Sequence, residues 1–118
     1  NKKLTMLIRS LLILPFLSLN SLPTENYSEP FIGIWAEFHS SETIQVFRGE
    51  NEDVFFERFL ENILVASGQM YAGELEITVN RSDIDSKYKL EYSFSTDKQV
   101  LSVMKPNSTE AWLLYKIR

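Results

Sequence analysis

From Lys87 to Ser95 the chain alternates without a break, with Tyr88, Leu90, Tyr92 and Phe94 on one parity and Lys87, Lys89, Glu91 and Ser93 on the other. A period of two marks a strand with one buried and one wetted face. Glu74 to Asn80 repeats the pattern, with Leu75, Ile77 and Val79 expected inward, and Glu42 to Arg48 does so through Ile44 and Val46. The runs 99–105 and 110–117 continue the series across Ser95-Thr96-Asp97-Lys98 and Lys105-Pro106-Asn107-Ser108, both rich in turn formers. Apolar runs recurring about every 8–12 residues predict an antiparallel β meander. Residues 53–66 (DVFFERFLENILVA) also satisfy a helical period, with Phe55, Phe59 and Ile63 on one face and Asn51 and Gly68 as possible caps. The alternative is two strands, Asp53–Phe59 and Ile63–Tyr71, turning at Leu60-Glu61-Asn62, and the spacing of the neighbouring strands favours it.

A different pattern precedes the meander. Lys2, Lys3 and Arg9 lead into nine apolar-rich residues from Leu11 to Leu19, interrupted by Pro15 and followed by the small and polar exit Ser18 to Pro23. A membrane-spanning helix needs about 20 apolar residues, whereas the core of a secretory leader needs about 7–15. The expected organisation is a signal peptide over 1–22 with a helical core, a flexible lead-in over 23–30 (it holds Pro23 and Pro30), and one folded domain over 31–118. The expected address is the periplasm or the exterior, without a permanent membrane anchor. The chain has no cysteine, so neither a disulfide nor a cysteine-linked lipid is available.

Charge sharpens this picture. The whole chain carries 12 basic and 16 acidic side chains, a net of −4. Three of the basic residues fall in the leader, leaving 9 against 16 and a net of −7 in the expected mature domain. Nucleic acid is disfavoured as a partner, because phosphate contacts need clustered Lys and Arg. The acidity serves solubility and suits a cationic protein partner.

Phe31-Ile32-Gly33-Ile34-Trp35 has the spacing F-x-G-x-W, and Gly68-Gln69-Met70-Tyr71-Ala72-Gly73-Glu74-Leu75 pairs a G-x-x-Y strand with an L-x-I strand through Gly73. These motifs resemble those of bacterial lipocalin-like domains, the small calycin-type barrels. The resemblance implies a single meandering barrel of about 7–8 strands, in which Gly33 and Trp35 close one end and a basic residue of the last strand, Lys116 or Arg118, packs across the indole, with Arg118 the choice taken forward. It also implies binding rather than catalysis. The short mature length leaves open a side-chain-filled interior in place of a deep cup.

Candidate chemistry is sparse. His39 is the only histidine, whereas a tetrahedral zinc site normally uses several His or Cys, so a surface loop is the expectation and no metal site is assigned. His39-Ser40-Ser41-Glu42 holds a nucleophile, base and acid in name, but triad members normally converge from separate elements. Asp83 and Asp85 lie in a loop without the Gly and later Glu of an EF-hand. No catalytic residue and no cofactor are expected. Among the aromatic residues, Tyr71, Tyr88, Tyr92 and Phe94 are the candidates to line a ligand pocket, with Trp35 and Trp112 beside them. The expected function is an exported, monomeric binding protein for a small apolar or aromatic ligand or for a protein. The alternative is an acidic inhibitor or immunity-type protein that blocks a cationic enzyme through Glu50, Glu52, Asp53, Asp83 and Asp85.

Overall fold

The computed structural model describes residues 26–118; the expected signal peptide over 1–22 lies outside them. Eight strands follow one another around a closed antiparallel barrel: β1 (Gly33–Glu37), β2 (Glu42–Arg48), β3 (Val54–Leu60), β4 (Ile63–Ala72), β5 (Glu76–Arg81), β6 (Ser86–Phe94), β7 (Val100–Met104) and β8 (Trp112–Lys116). Each pairs with its sequence neighbours, and β8 returns to β1 through Trp35 opposite Lys116 and Ala36 opposite Tyr115. Closure leaves none of the eight with an unpaired edge, which removes the aggregation hazard of an open sheet. The expected fold class is the observed one.

The residues 53–66 form strands, not a helix. Glu61 and Asn62 both take positive φ, 52° and 68°, and join β3 to β4 in the two-residue turn that matches the twist of a hairpin. Val54, Phe56 and Arg58 then point inward while Phe55 and Phe59 point outward, so the helical face is divided between the two sides of the sheet. The register jumps between Arg58 opposite Ala66 and Phe59 opposite Leu64, and Val65 is the extra residue of a β-bulge.

Inward positions of every strand build the core, including Trp35, Val46, Phe56, Met70, Leu90 and Leu114, and no polar side chain is fully buried among the described residues. Gly68 belongs to this inward set. A Cβ there would run into the Asn80 carbonyl and come within 2.8 Å of the Arg81 Cα, so only glycine permits β4 and β5 to approach so closely.

One end of the barrel is closed by the chain entering it. The turn Glu29–Phe31, with Pro30 at its start, carries the Phe31 ring into the core, where it meets Tyr92 and Phe94 edge-on at centroid distances of 4.8 and 4.9 Å. Glu29 accepts a 2.7 Å bond from Arg48 and ties the turn to β2. Trp35, 1% exposed, donates its indole N–H to the Phe31 carbonyl at 2.8 Å. Of the two cations at the end of the chain, Lys116 lies over the indole, its ammonium 5.7 Å from the ring centroid. Arg118 takes part through its backbone, its carbonyl accepting from the Ile34 N–H at 2.8 Å. Gly33 makes room for both, with φ at +141° and Lys116 Cε 2.7 Å from where a Cβ would stand.

The turn geometry can be tested by substitution. Glu61→Asn together with Asn62→Gly supplies the residues this hairpin turn prefers and is expected to raise stability by about 0.5–1 kcal/mol in chemical denaturation. In a helix the same glycine would lower stability by about 1 kcal/mol, so a loss of stability would contradict the assignment.

Candidate functional site

Because successive strands run in opposite directions, the loops fall into two sets. The connections β2–β3, β4–β5 and β6–β7 share the end closed by Phe31. The connections β1–β2, β3–β4, β5–β6 and β7–β8 surround the opposite end, which forms a mouth.

Inside, between Phe31 and the mouth, the barrel retains a void of only about 80 Å³. Its walls are apolar except for Arg58 and the Tyr88 hydroxyl, both from positions whose parity turns them inward. Arg58 follows Val54 and Phe56 on the inner face of β3. An unpaired guanidinium there would lose hydration, and it is held instead by Glu42 on β2, whose Oε2 accepts from Nε at 2.6 Å. The two side chains are 25% and 20% exposed, which makes this pair less screened than a surface ion pair. Trp112, the first residue of β8 and opposite Val103, lies across the same guanidinium, with Arg58 Cζ 5.6 Å from the ring centroid.

Trp112 is still 47% exposed, and other apolar side chains are exposed at the same end: Leu60 and Ile63 at the β3–β4 turn, Ile63 reaching 67%, with Leu64 and Phe38 on the outer wall, where Phe38 packs edge-on against Tyr115 at 5.0 Å. Two small hollows adjoin the indole. One, of about 270 Å³, lies between Glu37, Ser40, Glu42 and Trp112 over Ile44 and Leu114. The other, of about 200 Å³, runs from Trp112 to Lys105, Ser108 and Glu110. His39 sits in the β1–β2 loop and donates its backbone N–H to Glu37 at 3.1 Å. Among the described residues no three His, Asp or Glu side chains converge as metal ligands would.

The candidate pocket aromatics do not meet at one place. Tyr88 faces the void, while Tyr92 and Phe94 pack on Phe31 at the closed end. Tyr71 alternates with the inward Met70, so it faces out, 49% exposed, on the wall of an open outer groove of about 860 Å³ that also holds Glu74, Glu76 and Glu91. The acids named for a blocking role divide as well, with Glu50, Glu52 and Asp53 in the β2–β3 loop at the closed end and Asp83 and Asp85 in the β5–β6 loop at the mouth. Leu75, expected inward, is 71% exposed, because β5 begins only at Glu76. The residues that motif reading passed over are Arg58 and Glu42. Their signal was parity, since a charge on the inward face of an otherwise apolar strand needs a partner across the sheet.

One rim contact is tuned by charge. Arg81 donates two bonds to Asp83, which also accepts from the Ser67 N–H, and the guanidinium holds the Asp83 carboxyl well below the usual carboxylate range. At the closed end, burial pushes the Tyr92 hydroxyl up, with Tyr27 and Glu74 adding to the effect, and that hydroxyl donates to the Gly73 carbonyl. Comparison with protein-family models, with curated proteins and with solved structures gives no match for this chain.

The Arg81–Asp83 clamp predicts a pH dependence. A carboxyl with a depressed folded-state pKa stabilises the fold above its unfolded value of about 3.9, and the contribution disappears as pH falls through the depressed value. Asp83→Asn is therefore expected to melt below the parent at pH 6–7, and the difference should close in the most acidic range. Equal melting at neutral pH would show that the clamp contributes nothing.

Proposed function

We propose that this chain is an exported, non-catalytic binding protein of the lipocalin-like type that docks a protein partner at the mouth of its barrel. The observation that carries this reading is the interior void of about 80 Å³. Pockets for drug-sized ligands occupy roughly 300–1,000 Å³, so the filled interior favours a partner met at the surface. The mouth has the composition of such a surface. A half-exposed Trp112 stacked on Arg58 lies within a rim of apolar side chains, and Trp and Arg are among the residues that dominate binding energy at protein interfaces. The net of −7 in the mature domain favours a cationic partner and fast electrostatically steered encounter. The lipocalin-like reading is supported by the closed end, where Gly33, Trp35 and Lys116 occupy the places that the resemblance gives to the closing glycine, tryptophan and base.

The test compares capture from the exported fraction of the source cells by the parent protein and by Ile63→Ser with Leu60→Ser, two exposed rim positions whose replacement leaves the core intact. The parent is expected to retain one partner protein, and the double variant to bind it at least about tenfold more weakly with an unchanged melting temperature. A stoichiometric small molecule in native mass spectra of gently purified protein, with capture indifferent to the rim, would overturn the proposal.

A further inference from the structure

The mouth already holds one guanidinium. Arg58 is gripped between the Glu42 carboxylate at 2.6 Å and the Trp112 indole at 5.6 Å. Beside it the same two ingredients recur around the hollow of about 270 Å³, which Arg58 does not line. Here Trp112 again forms a wall, and beside Glu42, which Arg58 engages, stands a second carboxylate, Glu37, an inward-facing residue at the end of β1 and opposite Leu114. Glu37 enters no ion pair among the described residues. Its one hydrogen bond to the His39 N–H fixes the carboxylate through Oε1 and leaves Oε2 for another donor. Ser40 adds a hydroxyl, while Ile44 and Leu114 supply an apolar floor suited to a methylene stem.

We propose that this hollow receives an arginine side chain of the docked protein. The inference deepens the mouth-docking reading and rests on it. A guanidinium suits Glu37, the indole and the apolar floor together. Its planar fork matches a carboxylate, its face stacks on an indole, and its stem covers the floor. The charge balance points the same way, because the mature domain carries 16 acids against 9 bases. A lysine ammonium would meet the carboxylate but has no plane to lay on the ring. The side chain arrives on a protein because the hollow is bordered by the half-exposed Trp112, where a partner's backbone would deliver it already oriented and with its neighbouring surface excluding water.

The two tryptophans make the site readable. Trp35 is buried and bonded to Phe31, whereas Trp112 is half-exposed, so the two indole N–H signals report core and mouth separately in proton–nitrogen NMR spectra. The full exported protein would be titrated with N-acetyl-arginine methylamide, with the citrulline analogue as its neutral isostere and the lysine analogue as the ammonium control. Saturable movement of the Trp112 signal is expected with the arginine probe while Trp35 stays in place. Binding should be at least about tenfold weaker for citrulline and about fivefold weaker in Glu37→Gln, with the melting temperature retained. Equal response to arginine and citrulline, no movement of Trp112, or unchanged affinity in Glu37→Gln would each overturn the proposal. Partner capture separates this inference from its premise. Loss in the Leu60/Ile63 double variant with full retention in Glu37→Gln would overturn the arginine site and leave mouth docking standing, whereas indifference to both would remove both.

Discussion

The structure depends on the closure of β1 against β8. Eight short strands cannot form a barrel unless the first and last meet, and here they meet around Trp35. The indole is fixed from three sides: its N–H by the Phe31 carbonyl, one flank by Phe94 at a centroid distance of 6.0 Å, and the Lys116 ammonium over its ring. A cation–π contact of this kind is worth about 0.5–2 kcal/mol. Its larger effect is positional, since it draws the end of β8 over the start of β1. Gly33 permits that approach by taking a φ that other residues rarely adopt and by leaving space for Lys116 and the Arg118 carbonyl. Phe31 then enters the same end as a plug, and the Glu29–Arg48 pair holds the turn that carries it. Strand pairing, indole, glycine and plug thus act as one closing unit.

Closing one end so thoroughly determines what remains for function. An eight-stranded barrel is only just wide enough for side chains to fill it. With Phe31, Trp35, Phe56 and Met70 inside, this one fills to within about 80 Å³. The interior becomes a packed core, and the larger hollows lie outside it, two of them beside Trp112 at the end where closure is incomplete. There the bulge at Val65 and the tight turn at Glu61-Asn62 leave Leu60 and Ile63 raised on the rim. These apolar side chains share the mouth with charged ones, among them the Arg58–Glu42 and Arg81–Asp83 pairs.

Much of this was legible in the residues. The unbroken alternation of Lys87 to Ser95 gave the inner and outer faces of β6, and its centre, Leu90, is a core residue. The F-x-G-x-W spacing pointed to the closing end through the resemblance it carries, and Phe31, Gly33 and Trp35 do stand together there. In residues 53–66 a helical period and a pair of strands share the same apolar positions, and the two strands that the neighbouring spacing favours are the ones observed, turning at Glu61 and Asn62 in the left-handed conformation. What escaped reading has physical causes. Residue type puts Tyr71 among the pocket aromatics, yet strand parity sends it outside once Gly68 and Met70 are inside. Leu75 continues the alternation of β5 in sequence but belongs to the turn, where no opposing layer covers it. Residue type alone could not show which end of the barrel each aromatic would serve, because that depends on strand direction.

The charged pair at the mouth follows from the same geometry. Deeper in the core, Arg58 would lose more hydration than a single carboxylate restores, and further out water would screen the pair toward the 0–1 kcal/mol of surface bridges. At its actual depth it is partly shielded, held by Glu42 and covered by an indole, so a specific arrangement is maintained without a fully buried charge. The arrangement also sets the posture of Trp112. Stacked on Arg58, the half-exposed indole spans the void beneath it and the solvent above. The closed end therefore matters to the mouth as well. By filling the barrel from below, it leaves Trp112 no interior space large enough to occupy.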